Sequence, residues 1–447
     1  VLSKEYLKNY RINFRLAYPI MLGQVGHILT GIADNIMVGH ISSEHLAAGS
    51  LGHSIYIIFF IIGLGLATGI TPLVGIAYGE KNHKECSHYL KNGLVSIMFT
   101  GLVMTVLMLL MAPLLHYIGQ SESVISLAYP YYIISSLSLI PSMLFTAMKQ
   151  FTEGIALTKP AMTASILFNL VNVFLNYLLI YGNYGFPRLE LEGAAWASFI
   201  ARAGMGIYLL IYVFGNRKFN IYTKGINWKR YSYLHISRIF KLGLPISVQF
   251  LLEVAAFSAG ALLMGMISPQ ALASHQIAIS IATFTYLAAS GIASAVTIRL
   301  SNLLGEGKYD ELKNSGYSSF IMVLFWMGFS ALLLISLRHI LPSLFVSEQD
   351  VIELSANLLI IAAFFQIFDG TQVTAMGALR GLKDVRIPAM IGLFSYWILA
   401  LPLGYVFAFV FNLGAEGIWY GYLVGLILAA LLLYIRFLKV LKNIRHI

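Results

Sequence analysis

Apolar residues run along this chain in blocks long enough to cross a bilayer, which takes roughly 20 residues of helix. The blocks fall near 12–40, 46–78, 90–118, 124–152, 159–182 and 191–214, and resume near 239–268, 272–304, 314–341, 350–378, 387–411 and 415–437. This pattern predicts an all-α membrane protein with twelve transmembrane helices, six on each side of a polar stretch. The predicted organisation is an N-lobe over 1–214, a cytoplasmic linker over 215–238 and a C-lobe over 239–447. Several blocks exceed the bilayer minimum, so tilt or helix extending beyond the membrane is expected.

The two sets of six repeat each other. At an offset of 226 residues, 15–82 and 241–308 align without a gap and share sixteen identities in 68 positions. Arg15-Leu16-Ala17-Tyr18-Pro19-Ile20 faces Lys241-Leu242-Gly243-Leu244-Pro245-Ile246, and Gly79-Glu80 faces Gly305-Glu306. The match resumes at offset 228, where Lys159-Pro160-Ala161-Met162 faces Ile387-Pro388-Ala389-Met390. With six helices per half, both halves enter the membrane in the same sense, which predicts two lobes related by a pseudo-twofold axis along the membrane normal. A duplicated membrane chain is the usual design of a secondary transporter, with its cargo site between the halves.

Composition agrees with the bilayer reading. The chain is 58% hydrophobic and 11% charged, with mean hydropathy +0.79, against about 25% charged residues in soluble proteins. The net charge of +10 points to topology, not nucleic acid. With the N-terminus placed in the cytoplasm, 26 of the 29 basic residues fall on inner segments, leaving Arg188 and Arg338 outside and Arg202 within a span. That asymmetry puts both termini inside. The single cysteine, Cys86, excludes an intrachain disulfide.

Acids inside spans carry the chemistry, because a charge at the bilayer centre costs about 2.5–3.5 kcal/mol on insertion scales. Three lie deep in apolar runs: Asp34, Glu253 and Asp369. His27 lies seven residues before Asp34, on the same helical face, and Asn172 and Asn176 lie one turn apart on span 5. A carboxylate with amide oxygens suits a hard cation; it equally suits a proton, since removal from water favours the neutral acid. The plainer role for the asparagines is hydrogen bonding between helices. If the helices of Glu253 and Asp369 touch, the two carboxylates need a cation or a shared proton between them. In the repeat register Glu253 replaces His27 and Gly260 replaces Asp34, so the fold is duplicated but its ionisable chemistry is not. Pro19 and Pro245 lie inside spans 1 and 7, each removing a helix hydrogen bond; Pro19 is a hinge candidate near Asp34, against the alternative of a static kink. His40 and His45 fit no zinc spacing, and no nucleotide-binding loop or nucleophile motif is present. An ion gradient is therefore the expected energy source, and no enzyme activity or cofactor is expected.

These residues resemble the multidrug and toxic compound extrusion (MATE) transporters of the NorM branch. The matching pieces are Ile32-Ala33-Asp34-Asn35-Ile36-Met37-Val38-Gly39-His40 with Leu46-Ala47-Ala48, Asn172-Val173-Phe174-Leu175-Asn176-Tyr177, Leu272-Ala273-Ser274-His275-Gln276-Ile277-Ala278, and Gly377-Ala378-Leu379-Arg380-Gly381-Leu382-Lys383-Asp384. The resemblance covers nearly the whole chain. It implies two six-helix lobes around a V-shaped cleft and export of varied, mostly cationic or amphipathic compounds in exchange for Na+ or H+. It implies that Asp34 with Asn172 and Asn176 couples ions or protons in the N-lobe, that Glu253 and Asp369 form a C-lobe site where Na+ is a candidate, and that Gln276, Asp34 and Phe365 meet cargo. Some Na+-linked members carry a tyrosine where Phe365 stands, so an identical Na+ shell is not expected. The implied setting is a bacterial inner membrane. The expected partners are small-molecule cargo and membrane lipid, without nucleic acid, and the chain is expected to act as a monomer.

A lipid-linked oligosaccharide flippase of the same superfamily is the rival transport reading. Its phosphates call for several basic residues in the spans, and Arg202 alone is there. A channel or a membrane enzyme needs a repeated filter or a nucleophile or metal constellation, and neither is visible.

Overall fold

The computed structural model describes residues 4–444; both termini lie outside the described residues. Among the described residues, twelve helices are long and apolar enough to cross a membrane. They are α1 (Lys4–Gly39), α2 (Ser43–Gly79), α3 (His83–Tyr117), α4 (Glu122–Gly154), α5 (Lys159–Leu179), α6 (Glu190–Gly215), α7 (Tyr233–Ile267), α8 (Pro269–Gly305), α9 (Tyr309–Ser336), α10 (Gln349–Gly381), α11 (Arg386–Val410) and α12 (Gly414–Ile444). Each overlaps one of the apolar blocks of the sequence, with ends that differ by up to eight residues. A helix satisfies its own backbone hydrogen bonds, which the hydrocarbon demands.

The repeat is visible in local geometry. Ser42 caps α2 by accepting a hydrogen bond from the His45 amide, and Ser268 caps α8 by accepting one from Ala271, 226 residues on. At the other ends of these helices, Glu80 N–H donates to Ile76 O and Glu306 N–H to Asn302 O, both at 2.9 Å. The following residue has positive φ in both copies, Lys81 at 56° and Gly307 at 70°. The first half holds this left-handed turn with a lysine, where a Cβ is strained; the second uses the residue that adopts it freely.

Packing divides the chain into two compact units that differ from its sequence halves. One unit comprises Val248–Ile447 together with the chain up to Met21; the other is Leu22–Ser247. Relative to lobes of 1–214 and 239–447, the first parts of α1 and α7 are exchanged, and the linker belongs with the earlier helices. The cuts follow Met21 and Ser247, positions 226 apart and two residues after Pro19 and Pro245. Close backbone approach explains the exchange. In the Leu22–Ser247 unit, a Cβ on Gly65 of α2 would lie 2.4 Å from Ser247 Cα, and the Ser247 hydroxyl donates to Ile62 O at 2.8 Å. In the other unit the equivalent Gly291 of α8 receives Met21 and Ala17. There Asn13 is fully buried, and its Nδ2 donates to Ser315 O, Ser318 Oγ and Ser319 Oγ of α9 at 2.9–3.2 Å.

Two helices depart from a plain α pattern. α2 breaks at Gly69, where the α2 backbone meets Ile239 O and Gly243 too closely for a side chain. α11 widens into π-helical turns over Phe394–Ala400 and Val406–Val410, on either side of Pro402, a local adjustment to the amide that proline lacks.

Candidate functional site

In the Leu22–Ser247 unit, a cavity of about 380 Å³ opens beside Asp34. Asp34 lies in α1 and is half-buried. Its expected companions are there. Asn176 Nδ2 of α5 donates to Asp34 Oδ1 at 2.5 Å and approaches Asn172 Oδ1 at 3.3 Å, while Asn172 Nδ2 donates to Ser198 Oγ of α6 at 3.3 Å. Both asparagines are buried, at 2% and 0% exposure, so their one-turn spacing on α5 aims both amides into the same interior. His27 lines the cavity, as its spacing from Asp34 predicts, and so do His53 and Tyr131.

Arg202 of α6 also lines this cavity. Its guanidinium donates to Ser138 Oγ at 2.5 Å and lies 4.3 Å over the Tyr56 ring. It is close enough to Asp34 to attract its carboxylate electrostatically. The sequence marks Arg202 as the basic residue within a span but gives it no role; the structure places a fixed positive charge in the chamber of the acid. With Asn176 presenting its NH2, the groups turned toward Asp34 favour an anionic carboxylate.

The other unit gathers the second pair of acids. Glu253 of α7 receives hydrogen bonds at Oε1 from Gln249 Nε2 at 3.3 Å and Gln372 Nε2 at 3.4 Å. Gln372 lies on α10 and also donates to the Tyr396 hydroxyl of α11 at 2.9 Å. Asp369, three residues before Gln372, is 9% exposed and close enough to Glu253 for the two charges to repel. Asp369 forms no hydrogen bond or ion pair among the described residues. Gln372 Oε1 is a buried acceptor without a donor. Two neighbouring carboxylates suit a hard cation, while Gln372 turns its NH2, not this oxygen, toward Glu253. Arg380, the penultimate residue of α10, stacks over Phe250 at 5.4 Å and attracts Glu253 without pairing with it.

Other expected residues lie differently. Phe365 is 3% exposed and packs edge-on against Trp419 at 5.6 Å within the apolar core, so in this arrangement its ring is closed to cargo. Gln276 of α8 is exposed and no hydrogen bond joins it to either acid, whereas the adjacent His275 is buried against Trp419. Pro19 is buried within a continuous α1. Gln249 and Gln372 were legible only as residues one turn from an acid on their helices. Tyr396 carried no signal, because its direction depends on the π-helical turn of α11.

The MatE family profile matches residues 19–178 and 245–406. The chain belongs to the MATE family of membrane transporters. Both matched stretches begin at the prolines of the repeat, so the family unit occurs twice. Among curated proteins, this MATE chain is 34% identical to "Probable multidrug resistance protein NorM" of Rhodopseudomonas palustris, covering 96% of this chain and 91% of that one. It is 33% identical to the protein of the same description from Pasteurella multocida, covering 95% and 93%. Among solved structures, it superposes on an outward-facing multidrug resistance MATE family transporter of the MOP superfamily with a TM-score of 0.90, at 18% identity and 98% and 97% coverage. The Vibrio cholerae MATE transporter VcmN in its bent form gives a TM-score of 0.87, at 19% identity with 99% of both chains covered. The all-helical architecture is that of MATE transporters, a family of carriers and not of enzymes.

Proposed function

We propose that this MATE transporter is a secondary antiporter of the inner membrane, with both termini cytoplasmic, that exports structurally varied cationic or amphipathic compounds in exchange for Na+ or H+. The observation that carries this reading is the placement of intramembrane acids in each unit among polar side chains, with Asp369 buried and unpaired. Glu253 and Asp369 are at ease only when a cation or a shared proton lies between them. An ion arriving from the outer side lowers the energy of whichever conformation best shields that pair, and only such a difference between conformations can drive a transition. One charge moving through 100 mV supplies about 2.3 kcal/mol.

The two units have different companions, which supports different ions at each. The carboxylate oxygens of Glu253 and Asp369 suit Na+. The Asp34 chamber repels a metal ion through Arg202, and because Arg202 and the Asn176 NH2 also favour the charged carboxylate, a proton is taken up there only in a conformation that moves these donors away. The resemblance to proteins described as multidrug resistance NorM supports drug-like cargo. Pro19 serves as the hinge between the Asp34 segment and the part of α1 that packs with the other unit.

Dye efflux from proteoliposomes under separately imposed Na+ and pH gradients tests the reading. Saturable efflux that follows at least one gradient is expected. Efflux indifferent to both, or a large passive conductance, rejects antiport.

A further inference from the structure

Between Glu192 and Glu253 the chain has no acidic residue. The segment joining α6 to α7 carries Arg217, Lys218, Lys224, Lys229 and Arg230, and all five are exposed. Among the described residues none of them forms an ion pair; Arg238 at the start of α7, in contrast, is held by Glu85 at 3.3 Å and by the Tyr89 hydroxyl at 3.2 Å. Exposed apolar side chains alternate with these cations: Ile221, Trp228, Tyr231 and Leu234 are each 41–57% exposed.

The backbone of this strap is nevertheless fixed. Phe219 and Tyr222 are buried in the core of the Leu22–Ser247 unit. Lys91 of α3 donates to Asn227 O at 3.1 Å and to Arg230 O, and Asn92 Oδ1 accepts from the Ser232 amide at 2.9 Å. The Trp228 ring lies 6.0 Å from that of Phe214 in α6. A lysine of the helix is thus used to hold carbonyls of the strap, while the strap's own cations remain free and outward.

We propose that the 216–234 strap is a binding surface for the anionic phospholipids of the leaflet it lies against. It begins and ends at membrane-spanning helices, which holds it on one side of the bilayer, where headgroup charge is felt over a Debye length of about 8–10 Å. Cations at that level attract acidic lipid, and Trp and Tyr favour the boundary between headgroups and hydrocarbon. The pinned backbone presents them with little backbone ordering still required at binding. The proposal rests on the inner-face assignment of this segment, and its test does not depend on transport.

The wild-type protein is reconstituted in phosphatidylcholine vesicles containing a minor fraction of either brominated phosphatidylglycerol or brominated phosphatidylcholine. The fluorescence difference between wild type and Trp228→Phe isolates the strap tryptophan. Quenching of that component by the brominated anionic lipid is expected to exceed quenching by the zwitterionic one by about twofold or more. The excess is expected to vanish in the combined variant Arg217→Gln, Lys218→Gln, Lys224→Gln, Lys229→Gln and Arg230→Gln. Equal quenching of wild type by the two lipids overturns the proposal whatever the variant does, as does an excess that survives the five substitutions.

Discussion

Asp34 and Arg202 share one chamber with opposite charges, and the residues around them are bonded to hold both. Asp34→Asn keeps the size of the side chain but removes the ionisable group, so gradient-driven dye efflux is expected to disappear while membrane expression stays at the wild-type level; wild-type efflux from Asp34→Asn vesicles would refute the coupling role. Arg202→Gln removes a charge-assisted hydrogen bond to Ser138 and a stacking contact on Tyr56, a loss of about 1–3 kcal/mol, which should lower the melting temperature in detergent. In the other unit, Gln372→Leu deletes the buried oxygen that lacks a donor. With the contacts of the same amide to Glu253 and Tyr396 lost as well, Na+ affinity by isothermal calorimetry should fall by about tenfold or more, as it does when supporting groups of metal sites are removed. The acids were legible in the sequence because charge within an apolar run is costly. Their amide and hydroxyl companions were largely not, because Gln and Tyr carry no such cost and their roles depend on which helices touch.

At the scale of a helix, glycines at equivalent repeat positions do unequal work. A Cβ on Gly65 would meet Ser247 backbone atoms at 2.4 and 2.6 Å, whereas on Gly291 it would meet first the flexible Met21 side chain, at 2.5 Å. Gly65→Ala is therefore expected to destabilise by about 1–3 kcal/mol through forced helix displacement, and Gly291→Ala by clearly less, in paired thermal-unfolding measurements. Pro19 and Pro245 were visible as breaks in the helix hydrogen-bond pattern, and the unit boundaries fall two residues after each. Pro19→Ala restores the missing donor and stiffens α1. Cargo binding is expected to persist while turnover slows by several-fold, since hinges govern conformational steps; unchanged turnover in a transport assay would leave Pro19 as a static kink. The helices themselves were predictable in number and place, with ends off by up to eight residues, because block length and bilayer thickness set their apolar cores but not their extensions beyond the membrane. The break at Gly69 and the π-helical turns of α11 were not, because they answer to neighbouring helices.

Over the whole molecule, duplication gives two similar frames that carry dissimilar chemistry. Glu253 and His27 are equivalent in the repeat, as are Asp34 and Gly260, so each unit holds its own constellation of acids. Glu253→Gln is expected to abolish the response to an imposed Na+ gradient while leaving part of the response to a pH gradient, in the same proteoliposomes. Loss of both responses together would mean that the two constellations act as one site.

The order of apolar and polar residues alone determined the membrane class, the number of spans, the repeat and the three costly acids, since each follows from transferring local stretches of chain into hydrocarbon. Only the tertiary structure decided which segment packs with which unit, that Arg202 faces Asp34, that Phe365 is closed into the core and that Gln372 and Tyr396 complete the surroundings of Glu253. Those outcomes depend on close approach between distant helices, where a missing side chain on one glycine decides contact, and no local pattern encodes that.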